Sequence, residues 1–410
     1  MTKTITAQVS VFAEITPTPM DPVLASIEAF AADPRPDKVN LGVGMYYDES
    51  GKIPRLRVVH DAEVLIARNP APYGYLPVEG TAAFRSGVET LLFGVGHAAV
   101  ADGRVATFQA LGGTGALRVG AEILRLLKTS GVLALSHPTW PNHPVLFGAA
   151  GFEIATYPYV DPATGGLMFD RMLAALATLR PGTVVLLQTC CHNPTGVDLD
   201  RDQWLRLADV LRAGSLILFL DLAYQGFADG IDEDAWPVRM FAESGLPLFV
   251  ALSFSKSFAL YGERVGALCI VTASPREVSL VSGQAKNIIR AIYSTPPTHG
   301  AAIVSTVLNS PELGELWRTE LGEMRDRIKQ MRLGLVEALK TKGLNADFSF
   351  MQRQRGLFSY SGLSAAQIDL MTRGHAVHAV RDGRLCMAAL NRHNLPRVAD
   401  AIVEVVRHAP

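Results

Sequence analysis

From about residue 105 to 275, short apolar runs rich in Val, Ile and Leu alternate with helical patterns: GVLALS from 131, FEIATY from 152, TVVLLQ from 183, SLILFLD from 215, LFVALS from 248 and ALCIVTA from 267. Continuous runs of this length, without apolar/polar alternation, mark strands buried on both faces. The helical patterns between them predict a mostly parallel sheet covered on both sides. Further along the pattern changes. A long amphipathic helix is predicted near 313 to 342, followed by short strand-like pieces (FSF from 348, GLFSYSG from 356, RLCMAAL from 384) and a closing helix, which together read as a smaller α+β unit. Pro17, Pro19 and Pro22 punctuate the start, so residues 1–20 are expected to form an arm that does not pack within its own unit.

The chain has 410 residues, enough for two or three domains, and no repeat or low-complexity tract divides it. With 38 Lys+Arg against 39 Asp+Glu the net charge is −1, which argues against a nucleic-acid partner and for small, near-neutral ligands or compact anions. No stretch approaches the roughly 18 apolar residues of a membrane span, and MTKTITAQVSVFAEI lacks the apolar core of a signal segment. Cys190, Cys191, Cys269 and Cys386 form no CxxC pair, and neighbouring Cys190 and Cys191 are badly placed for a disulfide or a shared zinc. They read as reduced thiols of a cytoplasmic protein with no metal site.

Several run ends carry polar groups. LGGTGALRVGAEILRLLK (111–128) places Gly112, Gly113, Thr114 and Gly115 before apolar positions at helical spacing; this is either a tight turn opening a core helix or a helix N-terminus whose N–H groups face an anion. It is neither a Walker loop nor a full dinucleotide fingerprint, because no Gly-Lys-Ser/Thr follows and Arg118 stands where a third glycine belongs. SLILFLD ends in Asp221 and leads to Tyr224; a carboxylate there is a helix cap or a ligand-site group. LFVALSFSKSF ends in Ser253, Ser255 and Lys256, a solvated lysine or a partly desolvated, nucleophilic one, with Arg264 eight residues on. QTCCHNPTG presents Asn193 from a turn that Pro194 stiffens, and SHPTWPNH presents Trp140, a core ring or a stacking surface.

In order and spacing, GGTGALRVGA, SHPTWPNH, CCHNPTG, DLAYQGF and SFSKSFALYGERVG resemble the aspartate and aromatic-amino-acid aminotransferases of fold type I, over roughly residues 12 to 408. The resemblance implies a mostly parallel seven-stranded sheet in a large domain (55–312), a small domain from 21–54 with 313–410, and pyridoxal 5′-phosphate as cofactor. It makes Lys256 the Schiff-base lysine and general base, and Asp221 the anion that keeps the pyridine nitrogen protonated. Tyr224 and Asn193 would then bind the phenolic oxygen and Trp140 the ring, while Gly113, Thr114, Ser253, Ser255 and Arg264 would hold the phosphate. Arg384 would grip the substrate α-carboxylate, with Gly44, Trp140 and Asn193 also lining the substrate site. Tyr75 and Arg290 would enter from the partner of a homodimer.

YLPVEG, GFEIATYPYVDPATGG, SFSKSFALYGERVG and GLFSYSGLSAAQID look closer to the bacterial aromatic branch, implying aromatic and dicarboxylic donors with 2-oxoglutarate as acceptor; the alternative is an aspartate aminotransferase with little aromatic activity. Two departures from the family pattern stand out. Thr295 replaces the Asn usual in aspartate enzymes, and Gln188 replaces a His that both branches often carry before the Cys-Cys pair. A remoter rival is the S-x-x-K serine acyltransferase pattern of Ser253-Phe254-Ser255-Lys256, whose companion Ser-Asp-Asn and Lys-Thr-Gly motifs are absent.

Overall fold

A computed structural model describes residues 10–17, 20–72, 74–161, 164–344 and 346–408. Its strands are β1 (Val39–Asn40), β2 (Val105–Leu111), β3 (Val132–His137), β4 (Glu153–Pro158), β5 (Val184–Gln188), β6 (Ile217–Leu222), β7 (Leu248–Ser253), β8 (Val265–Val271), β9 (Phe358–Tyr360), β10 (Val377–His378) and β11 (Arg384–Cys386). The expected α/β architecture is present: seven strands in the order β2-β8-β7-β6-β5-β3-β4, parallel except for β8, which runs antiparallel to both β2 and β7.

Every residue of β5, β7 and β8 is buried, as continuous apolar runs demand when helices cover both faces. FEIATY departs from that expectation. As β4 it closes one edge of the sheet, and Glu153 and Thr156 are exposed there. Strand order turns back between β3 and β5, since β4 lies beyond β3 while β5 and β6 extend the other way. The carboxyl ends flanking such a reversal leave a crevice between diverging connections, where ligands of open α/β sheets bind.

The helix predicted near 313 to 342 spans Pro311–Thr341. Ser310 accepts from Leu313 N at its start, and it buries Leu313, Trp317, Leu321, Met324, Ile328, Met331 and Leu335, a three-and-four spacing that keeps one face against the core. The same helix buries Glu320, whose carboxylate accepts from Arg57 N (2.9 Å) and Val58 N (3.0 Å) at the opening of helix Arg57–Arg68.

Two small sheets join distant parts of the chain: β1 pairs in parallel with β10, and β9 antiparallel with β11. Two of the short expected strands are corrected, the first wholly and the second in part. FSF opens a 3₁₀ turn, Ser349–Arg353, because Asp347 accepts from Ser349 N (2.7 Å) and Ser349 Oγ (3.0 Å) and curls the chain locally. RLCMAAL is extended only over Arg384–Cys386 before a 3₁₀ turn at Met387–Ala389. Of the expected arm, residues 1–9, 18 and 19 lie outside the described residues; Val11, Phe12 and Ile15 are exposed. Among the described residues, no helix is long and apolar enough to cross a membrane.

Candidate active site

At the ends of β3, β5, β6 and β7 lies a cavity of about 300 Å³. Its wall brings together twelve of the residues singled out from the sequence: Gly44, Gly113, Thr114, Trp140, Asn193, Asp221, Tyr224, Ser253, Ser255, Lys256, Arg264 and Arg384. Two are elsewhere on this chain. Tyr75 is 94% exposed, and Arg290, near the end of helix Pro275–Ile292, is exposed and donates to Ser294 Oγ (3.1 Å).

One end of the cavity is built for an anion. β2 runs directly into helix Gly112–Leu126, whose first turn carries Gly113 and Thr114 and has no side-chain cap. Arg264 reaches the same place, donating to Ser255 Oγ (3.2 Å) and Tyr261 O (3.0 Å), while Ser253 Oγ accepts from Ser255 N (3.3 Å). Gly112 has a φ of +67°, and a Cβ there would sit 2.7 Å from an Arg264 guanidinium nitrogen. Only glycine leaves this cradle open. Free helix N–H groups, two hydroxyls and a guanidinium suit a phosphate in charge and size.

Deeper in, Asp221 is buried, and its Oδ2 lies 3.1 Å from His143 Nε2, whose Nδ1 meets Thr139 Oγ1 at 2.8 Å. Trp140 packs edge-on against the His143 ring at 5.2 Å. The facing amine is Lys256, with Nζ 5.2 Å from the Tyr224 ring centroid. Burial pushes the Lys256 ammonium down to about 8; the Asp221 anion opposes that and Arg264 adds to it. Burial raises the Tyr224 phenol well above its ordinary value, so its hydroxyl stays a donor. Asn193 Nδ2 points toward it at 3.5 Å.

At the far wall Arg384 is buried. It donates to Asn193 Oδ1 (3.0 Å) and Gly42 O (2.8 Å), and its guanidinium carbon lies 4.3 Å over the Phe358 ring centroid. Its Nε is buried without a hydrogen-bond partner in the described structure, an unused donor of a fork suited to a carboxylate. Gly44 permits this packing, because a Cβ there would collide with Phe358 Cζ.

Three contributors escaped the sequence reading: His143, Tyr261 and Phe358. His143 had a signal, three residues after Trp140 in the same motif and at the second position of helix Asn142–Ala149. The Tyr261 hydroxyl, which accepts from Tyr46 N (2.8 Å), and the Phe358 ring had none, since the partners of these two side chains lie far off in sequence. Gln188 also lines the cavity. It donates from Nε2 to Asn193 O (3.0 Å) and accepts at Oε1 from Asn193 N (2.8 Å). Thr295 is not part of the wall; its N–H bonds to Tyr293 O (2.8 Å).

An amine of lowered basicity, an anion fixed by an imidazole, an anion cradle and a carboxylate fork therefore share one cavity. Residues 36–402 match the family model described as aminotransferase class I and II. The chain is 54% identical to an aspartate aminotransferase of Pseudomonas aeruginosa (97% of this chain, 100% of that one) and 48% identical to an aromatic-amino-acid aminotransferase of Escherichia coli (94% and 98%). Among solved structures, an aromatic-amino-acid aminotransferase from Burkholderia pseudomallei, covalently bound to pyridoxal phosphate, superposes with a TM-score of 0.94 at 55% identity (97% of this chain, 99% of that one).

Proposed function

The chain belongs to the class I and II aminotransferases, and from that premise we propose that it moves the amino group of tyrosine, phenylalanine, tryptophan and dicarboxylic amino acids to 2-oxoglutarate, as a cytoplasmic homodimer with shared sites. Amino and 2-oxo acids are its substrates and pyridoxal phosphate its cofactor.

When bound, the cofactor supplies the electron sink that lets a Cα–H bond of the amino acid break. The chain's own groups do the rest. Gly113, Thr114, Ser253, Ser255 and Arg264 would hold the phosphate, with Tyr75 of a second copy adding to that end. Trp140 would wall the ring. Asp221, oriented by His143, would keep a proton on the ring nitrogen, and Tyr224 and Asn193 would donate to the phenolic oxygen. Lys256 would hold the cofactor through its amine, and its Nζ, when free, would take the proton from the substrate Cα, a general-base role worth about 10²–10⁴-fold. Arg384 grips the α-carboxylate through the fork whose Nε is unspent.

The observation that carries the substrate reading is the composition of the cavity wall. Within one chain Val23, Leu117, Trp140 and Phe358 offer apolar surface to an aromatic side chain, whereas a distal carboxylate finds its cation in Arg290 only when a second copy presents it. Exposed Tyr75, Arg290, Val11, Phe12 and Ile15 support that second copy, and four free, buried thiols support a reducing compartment. Single turnover with tyrosine, phenylalanine and aspartate tests the reading: comparable conversion is expected. Fast aspartate turnover with negligible aromatic turnover selects an aspartate aminotransferase, the reading favoured by the 54% identity to the Pseudomonas enzyme. Arg290→Leu should depress dicarboxylic donors at least about tenfold more than aromatic ones, the worth of a charge-assisted bond; equal losses would make Arg290 structural.

A further inference from the structure

We propose that Gln188 is a positioning residue for substrate binding, acting through the backbone of Asn193 to hold the Asn193 side chain against Arg384. This rests on the assignment of Arg384 and Asn193 to the α-carboxylate.

Gln188 ends β5, with its Cα paired across the sheet to that of Asp221, and Thr189 N donates to Asp221 O (3.2 Å). The residue is therefore fixed at the same level as the buried anion. Its side-chain amide closes a ring with a single peptide neighbour, accepting from Asn193 N (2.8 Å) and donating to Asn193 O (3.0 Å). A primary amide carries an acceptor and a donor at the spacing of a backbone N–H and C=O, so one Gln satisfies both polar groups of one residue, as an adjacent strand would. The preceding residues are held too: Asp198 accepts from Cys191 N (2.7 Å) and His192 N (2.9 Å).

From this clamped backbone the Asn193 side chain reaches two neighbours. Oδ1 accepts from Arg384 Nη1 (3.0 Å) and Nδ2 points to the Tyr224 hydroxyl (3.5 Å). Gln188 thus sets where the Arg384 fork lies. It does so with a group that does not titrate, so the clamp holds at any working pH.

The test uses the holoenzyme and the dissociation constant of 3-phenylpropanoate, a carboxylate with no amine to react, measured by calorimetry beside steady-state kinetics. Gln188→Met keeps the length and loses both polar ends. It should weaken Kd and raise KM for tyrosine and aspartate alike by about tenfold, one net hydrogen bond's worth, with kcat moving less. On an Asn193→Ala background the same change should move Kd less than about twofold, because the path runs through Asn193. A lowered Tm with an unchanged Kd would overturn the proposal, as would a full tenfold effect without the Asn193 side chain. Should the Met variant not fold, Gln188→Glu retains the acceptor and loses the donor; about a threefold loss supports the proposal and none overturns it. Arg384→Leu is the control. If it leaves Kd unchanged, the site assignment fails and the proposal with it. If it weakens Kd while Gln188→Met does not, the role of Gln188 alone fails.

Discussion

Lys256 gives the sharpest handle on the electrostatics of the cavity, and it is measurable without any cofactor. Burial holds the ammonium near 8 rather than at the ordinary 10.5, against the pull of Asp221 and with the help of Arg264. At pH 7 about one amine in ten is then neutral, against about one in three thousand for a free lysine, a gain of about 300-fold in the nucleophilic form. Competitive acetylation of the cofactor-free protein with trace acetic anhydride, quantified on the Lys256 peptide, reads this as a titration midpoint near pH 8. Replacing Asp221 by Asn removes the negative charge that favours the charged amine, so the midpoint should fall below 8; Arg264→Leu should raise it.

Stability follows with a definite sign. The folded value lies below the unfolded one, so the cost of burying the charge is fully present below pH 8 and disappears as pH rises from 8 to 10.5. About 3 kcal/mol should be recovered across that window. Chemical denaturation of the wild type minus that of Lys256→Met isolates this contribution from tyrosines and cysteines that titrate nearby. A labelling midpoint at or above 10, or a rise on Asp221→Asn, would refute the reasoning.

The other outcomes are simpler. Arg384→Leu removes the fork proposed to make two charge-assisted bonds to the α-carboxylate, each worth about 1.5–3 kcal/mol, and should cost about 10²–10⁴ in kcat/KM for every donor; a loss under fivefold would separate Arg384 from the α-carboxylate. Gly112→Ala forces a side chain onto a φ of +67° and toward Arg264, 2.7 Å away, so cofactor affinity measured by spectral titration should drop by at least about tenfold, about what 1–2 kcal/mol of strain and displacement costs. An unchanged affinity would take Arg264 out of the phosphate cradle.

Much of this site was legible because its chemistry sits at the ends of apolar runs. Asn193, Asp221 and Lys256 each follow such a run within a few residues, so reading the strands as parallel already placed them on one edge. What the sequence hid depends on distances across the chain. His143 meets Asp221 from 78 residues away, and Phe358 packs beneath Arg384 only because Gly44 leaves room. FSF failed as a strand for a local reason: apolar character alone does not resist an Asp side chain that caps the next turn. FEIATY was read as fully covered because a run of this length reports strand character but not rank within the sheet, and β4 falls at the rim. Tyr75 and Arg290 are the opposite case, visible through motif order yet stranded on the outside of a single copy.

The carboxylate fork also has a history in time. Gly42 and Arg384, which hold each other through one hydrogen bond, are separated by 342 positions, and the β1 and β10 pairing nearby bridges a similar span. All seven strands of the large sheet have been synthesised once residue 271 has left the ribosome, so a nascent chain holds every residue of the proposed phosphate cradle more than a hundred positions before it gains the guanidinium proposed to grip the α-carboxylate.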